Sequence, residues 1–344
     1  MEVGIVYDPI YLKHDTGGHP ENARRLETII SYLEQTGLKQ QLKSIKPRPA
    51  TIEELALVHE KEYISHVRQT AQSGGGWLDA DTVMSADSYE VALYAAGGII
   101  KATEAVISGE VASAFGLVRP PGHHATSRQA MGFCLFNNVA IAAKHALKKY
   151  GLERIVIIDF DVHHGNGTQE SFYDDPQVLY ISTHLYPFYP GTGGIEETGS
   201  GAAIGDTVNI PLPAGCGDDE YEKVFEEIIV PVARRFKPQL IMSSAGYDSH
   251  WTDQLATMQV SVKGFARMVT AIGRLSDELC SGHLVLTLEG GYNLTALAAS
   301  VKATFDVLLG NARIEDPLGP PPHSSRVPDI NHLLESIKKI HNLS

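Results

Sequence analysis

Residues 156–169 read VIIDFDVHHGNGTQ, an apolar run that stops abruptly in two aspartates, two histidines and glycine. The run itself describes a buried strand. On extended backbone, residues two apart share a face, so Asp159, Asp161 and His163 project together while Phe160 and Val162 face the other way. In an open parallel sheet, ligands sit outside the carboxyl ends of the strands, and the polar cluster lies at that end. Buried carboxylates side by side repel unless a cation or hydrogen-bond donors compensate them. A metal is the economical reading, although D-x-D-x-H-H taken alone also fits a hydrogen-bonded strand end.

Outward from this stretch, short apolar runs alternate with longer amphipathic ones, the pattern of an α/β fold with a mostly parallel central sheet and helices on both faces. Strands are predicted in VGIVYD, ASAFGLV, RIVIIDFD, QVLYIST, TVNIPL, QLIMSSAGYD and LVLTLEGGY, and helices over residues 20–37, 88–109 and 264–282. The tail EDPLGPPPHSSRVPD leads into a last helix, 329–342, expected to pack on the same unit, so the 344 residues read as a single domain. The Gly-rich stretch 189–206 lacks the strand–GxxxxGK–helix setting of a phosphate cradle and reads as a long loop.

Composition narrows the function. A formal charge of −13 with no Lys/Arg cluster argues against direct nucleic-acid binding and favours a neutral-to-cationic substrate. Cys134, Cys216 and Cys280 lie far apart, which suggests neither a disulfide framework nor a thiolate zinc site and fits a reducing compartment. No signal peptide or membrane-length apolar run is found, so a cytoplasmic location is expected and membrane association is not. Oligomeric state is not legible.

Other strand ends add to the cluster. LVRPPGHHA carries His123 and His124, MSSAGYDSH carries Asp248, and LTLEGGYN carries Tyr292 behind Gly290 and Gly291. Each has an ordinary reading: a turn for the histidine pair, a helix cap for Asp248, a core aromatic for Tyr292. Jointly they supply a metal ligand set, tandem bases and a hydroxyl donor, the inventory for metal-assisted hydrolysis.

With these motifs in hand, the chain resembles the metal-dependent histone deacetylases and acetylpolyamine amidohydrolases, on the arginase-like fold. The resemblance runs in order through HPENARRLE, RPPGHHA, GFCLFNN, DFDVHHGNGTQ, YISTHLYPFYPGTG, SAGYD and EGGYN. It implies a catalytic zinc held by Asp161, His163 and Asp248, although two carboxylates and one imidazole also suit Fe²⁺ or Co²⁺. By the same resemblance His124 is the general base, His123 its electrostatic partner, and Tyr292 the donor to the oxyanion. Asp159 orients His123 and, with Ser182 and the carbonyls of Asp161, His163 and Thr183, binds a structural potassium ion. Asn166 stands beside His124 where many members carry Asp. Phe133 and Tyr189 match the aromatic walls of an acyl-lysine tube, flanked by Gly132 and Gly291, and Leu255 matches a rim side chain. Arg25 matches an arginine beneath the metal on the acetate path, or else pairs with a carboxylate, and Cys134 reads as a packing residue. Asp79 and Asp81 fall in a segment like the family's rim loop, where either could hold a substrate N–H or stay solvated. The loop DSHWTDQLATM departs from the Gly-Asp-Pro pattern common after the third ligand.

The activity implied is hydrolysis of a short acyl amide, with an acetyl-lysine peptide or protein ranked slightly ahead of an acetylpolyamine or other small N-acetyl amine. Two rivals stay open: an arginase-type ureohydrolase, which needs a second metal, and a non-catalytic acyl-lysine binder.

Overall fold

The computed structural model describes residues 2–322 and 328–343. Residues 323–327 of the tail read above lie outside the described residues. Among the described residues ten strands are formed: β1 Val3–Val6, β2 Lys43–Ile45, β3 Gly75–Trp77, β4 Val83–Ser85, β5 Ser113–Gly116, β6 Ile155–Asp159, β7 Val178–Leu185, β8 Thr207–Leu212, β9 Leu240–Ala245 and β10 Leu284–Leu288. Eight of them build one sheet in the order β2-β1-β5-β10-β9-β6-β7-β8, and every pairing in it is parallel. All seven predicted strands are present in it. They read as unbroken apolar runs because helices cover both sheet faces, so β6, β7, β9 and β10 are buried along their whole lengths.

The strand order decides where chemistry can happen. From β1 the chain adds β2 on one side and β5 on the other, then leaps to β6, and fills the gap only later with β9 and β10. Reversal of direction across that gap creates a crevice at the carboxyl ends. The ends of β5, β10, β9, β6 and β7, which precede the motif segments, are consecutive neighbours there.

Helices Arg24–Gln35, Leu294–Leu308 and Val262–Cys280 pack side by side, while Ser88–Ile107 and Asn138–Tyr150 form another layer. The helix expected to start near residue 20 starts at Arg24, because Asn22 caps the Arg24 N–H and Glu21 turns inward to buried arginines. The last helix is Asn331–Ile340; its Leu334 and Ile337 are buried in the main core, against the segment Phe225–Ile229.

Candidate functional site

The end of β6 is shaped by its own side chains. Oδ1 of Asp159 accepts the N–H of Asp161 at 3.2 Å, and Oδ1 of Asp161 accepts the N–H of His163 at 2.9 Å. These two local turns replace ladder hydrogen bonds and hold the polar side chains along one line. Phe160 and Val162 point into the core, Phe160 against Tyr247 and Phe265. Neighbouring strands supply the remaining donors: Val162 N–H to Asp248 Oδ1 at 3.0 Å and Gly290 N–H to Asp161 Oδ2 at 2.8 Å. Gly290 must be glycine, since a Cβ there would collide with the carboxylates of Asp248 and Asp161.

Asp161, His163 and Asp248 converge, with one ligand atom from each within 4.8 Å of the others. Nδ1 of His163 lies 3.2 Å from Asp161 and 3.3 Å from Asp248. Oδ2 of Asp248 is buried and short of a well-formed hydrogen bond, with His163 Nδ1 3.3 Å away, a costly state for a carboxylate unless a cation, either the protonated His163 ring or a metal ion, faces it. Burial and repulsion by Asp161 push Asp248 up to about 6. Against the penalty of its own burial, His123 and His163 hold Asp161 well below the usual carboxylate range. The donor set of two carboxylates and one imidazole therefore fits a divalent metal. Another group, His123, Cys134 and Glu289, also brings its atoms that close, but its carboxylate already accepts the N–H groups of Gly122 and His123 and the hydroxyl of Ser244.

The tandem histidines differ in partner. Nδ1 of His123 donates to Asp159 Oδ2 at 3.1 Å; burial opposes protonation, yet Asp159 and Asp161 push His123 up to about 10. Nδ1 of His124 donates to the Asn166 amide oxygen at 2.9 Å, and the Asn166 amide nitrogen is turned to the His124 carbonyl and the Met131 sulfur. Burial and the adjacent His123 and His163 hold His124 well below its ordinary value. This shift favours the neutral imidazole, and a ring that donates Nδ1–H to Asn166 carries its lone pair on Nε2.

A narrow cavity of about 80 Å³ leads to these groups, lined by Asp81, His123, His124, Phe133, His163, Tyr189 and Tyr292 among others. The Phe133 and Tyr292 rings meet edge-on at 5.8 Å, and Tyr189 meets His124 edge-on at 5.3 Å. Phe133 adopts a left-handed backbone (φ 70°), a strained state for an aromatic that neighbouring structure must enforce. It is enforced by the tip of the β3–β4 hairpin: Asp81 accepts the Gly132 N–H and Thr82 Oγ1 accepts the Phe133 N–H, both at 3.1 Å. The Asp81 carboxylate is therefore engaged in holding the tube wall. Leu255 is half-buried in the loop after Asp248 and is not among the residues lining this cavity.

Arg25 is buried beneath the site. It donates to the carbonyls of Gly291 and Glu289 at 2.8 and 2.5 Å and to Glu21 at 3.2 Å, with its guanidinium 5.0 Å from the Tyr292 ring centre. On the other side Asp159 lies opposite Ser182 in the β6–β7 register. Ser182 Oγ is hydrogen-bonded to His184, and Thr183 Oγ1 is buried without a partner. Cys134 is fully buried, and burial raises its thiol well above the ordinary value, so it offers no nucleophile. Glu289 and Tyr180 are among the site residues that escaped sequence reading. Glu289 is the buried carboxylate that pins the loop of the histidine pair, and the only available signal was its place at the end of an apolar strand. Tyr180 donates its hydroxyl to Asp159 at 3.0 Å, hidden within an apolar strand. A roomier groove of about 740 Å³, lined by Arg234, Arg267 and Arg274 among others, contains none of the motif residues.

Comparison with known proteins identifies the family. Residues 19–308 match the model of the histone deacetylase domain. The chain belongs to the histone deacetylase family. It is 41% identical to a probable deacetylase of Archaeoglobus fulgidus over 99% of this chain and 98% of that one. It is 40% identical to histone deacetylase 14, chloroplastic, of Arabidopsis thaliana over 96% of this chain and 83% of the relative. The crystal structure of the HDA15 HD domain superposes with a TM-score of 0.89 at 36% identity, covering 99% of this chain and 96% of that one. The protein is accordingly a deacetylase, built on the family's fold. Among the described residues, no helix is long and apolar enough to cross a membrane.

Proposed function

We propose that this deacetylase is a zinc hydrolase that removes an acetyl group from the side-chain amine of lysine in a flexible peptide. The observation that carries the reading is the narrow cavity lined by Phe133 and Tyr189, which is also lined by His163, one member of the Asp161–His163–Asp248 cluster. Such a tube suits a slim aliphatic stem with a small acyl group at its tip. A zinc ion held by those three side chains would polarise the acyl carbonyl and lower the pKa of the attacking water.

The chain's own groups do the rest. His124, neutral beside Asn166, takes a proton from the attacking water at Nε2 and returns it to the departing amine nitrogen as the C–N bond breaks, leaving acetate and a free amine. Tyr292 donates its hydroxyl to the carbonyl oxygen as negative charge develops there. His123, held by Asp159, keeps a positive charge beside the reacting groups. A potassium ion at Asp159, Ser182 and the carbonyl of Thr183, with those of Asp161 and His163, would fix the end of β6 behind the zinc ligands.

The excess of acidic residues and the position of Asp81 at the tube support neutral-to-cationic amides. A monoacetylated polyamine shares these features, so the deciding test is kcat/KM for an acetyl-lysine peptide against acetylpolyamines. The peptide is expected to be the better substrate, and a large polyamine advantage overturns the ranking.

A further inference from the structure

Asp253 belongs to the loop between the third metal ligand and the helix Val262–Cys280, the loop whose sequence departs from the family pattern. Its side chain is buried and bridges two loops. Oδ1 accepts the N–H of Leu255 at 3.0 Å, while Oδ2 accepts the N–H of Tyr292 at 2.6 Å and of Asn293 at 3.0 Å. Asn293 in turn caps the helix Leu294–Leu308 through Ala296 N–H and donates its amide to the carbonyl of Thr252. The backbone of Tyr292 is thereby held by Asp253, and the Arg25 guanidinium lies 5.0 Å from its ring centre.

We infer that Asp253 is a positioning residue for the reaction: one carboxylate couples the loop carrying Leu255 to the backbone from which the Tyr292 hydroxyl reaches the substrate carbonyl. This rests on the reading of Tyr292 as the oxyanion donor. A displacement of about 1 Å in such a donor is enough to cost up to about 10²-fold. Carboxylate-to-N–H bonds at a helix start are also ordinary capping contacts, so the test must separate positioning from plain stability.

An electron-poor acyl carbonyl depends less on a donated hydrogen bond than an acetyl carbonyl does. The zinc-loaded protein and its Asp253→Asn, Asp253→Ala and Tyr292→Phe variants are assayed on matched acetyl-lysine and trifluoroacetyl-lysine peptides. An amide at 253 can keep only one of the two anchors, since its NH₂ cannot accept. We expect kcat for the acetyl peptide to fall roughly 10-fold in Asp253→Asn and up to about 10²-fold in Asp253→Ala, with much smaller losses on the trifluoroacetyl peptide. The double variant Asp253→Ala/Tyr292→Phe should match Tyr292→Phe alone. The ratio between substrates is independent of how much enzyme is folded. Equal losses on both peptides, or a double variant in which the two losses multiply, overturn the inference. Wild-type acetyl turnover in Tyr292→Phe would instead overturn the reading on which it rests.

Discussion

Replacement of Asn166 by aspartate tests the assignment of His124 most sharply, because the protein contains its own comparison. His123 and His124 are adjacent, both buried, and each donates Nδ1–H to an oxygen about 3 Å away. The partner of His123 is charged and the partner of His124 is not; His123 is pushed up to about 10, while His124 sits well below its ordinary value. A unit negative charge about 4 Å from the ring at an effective dielectric of about 20 is worth about 4 kcal/mol, or about 3 pKa units at 1.36 kcal/mol each. Burying the new carboxylate takes back part of this, so a rise of about 1–3 units is expected for His124. The sign follows from its role. A base must be neutral to act, so a raised pKa carries the protonated, inactive form to higher pH, and the acid limb of kcat/KM moves upward by the same amount. The alkaline plateau is retained. The assay is a pH profile of kcat/KM on an acetyl-lysine peptide for zinc-loaded wild type and Asn166→Asp, with metal content and thermal melting checked for both. An unmoved acid limb in a folded, metal-replete variant would show that His124 is not the proton acceptor in the free enzyme.

Three further outcomes are expected. Chelation, or Asp161→Ala, should abolish turnover, and zinc added back to the stripped wild type should raise its melting temperature, since an ion at 100 times its dissociation constant adds about 2.7 kcal/mol; full activity in metal-free Asp161→Ala sinks the metal reading. Tyr292→Phe should keep fold and metal while kcat falls roughly 10²–10³-fold, the usual cost of one oxyanion donor; near-normal turnover removes it from the mechanism. Acetyl-lysine should be hydrolysed better than a long-chain acyl-lysine or an acidic-flanked peptide, and the opposite preference contradicts the tube between Phe133 and Tyr189.

Much of this molecule is legible in its sequence, and the boundary has a physical cause. The seven predicted strands were visible because a parallel sheet buried on both faces demands unbroken apolar runs. Strand β2 was not, for it has three residues, only the last of them buried. The β3–β4 hairpin was hidden by Gly75 and Gly76, which carry no pattern of alternation. That hairpin holds Phe133 in its strained conformation, and Asp81, read as a residue that could hold a substrate N–H or stay solvated, lines the cavity and accepts the Gly132 N–H through Oδ1. Motif residues were legible because side-chain chemistry at a strand end is written in residue type. Glu289 and Asp253 act on backbone N–H groups, which every residue except proline offers, so no pattern of types marks their partners.

The same backbone contacts explain why the metal cluster stands out. Five carboxylates, Asp159, Asp161, Asp248, Asp253 and Glu289, are buried around the crevice, an arrangement that self-repulsion would disfavour without compensation. Most of that compensation comes from peptide N–H groups of neighbouring loops: Asp161 to Asp159, His163 and Gly290 to Asp161, Val162 to Asp248, Gly122 and His123 to Glu289, and Leu255, Tyr292 and Asn293 to Asp253. These bonds stitch together the loops after β5, β6, β9 and β10. Among these five carboxylates the oxygen left buried without a donor is Oδ2 of Asp248, and it faces Nδ1 of His163. A network that satisfies its other acids with backbone N–H groups and with side chains such as Tyr180, His123 and Ser244, yet leaves this one oxygen facing an imidazole, leaves room at that point for a cation from outside the chain.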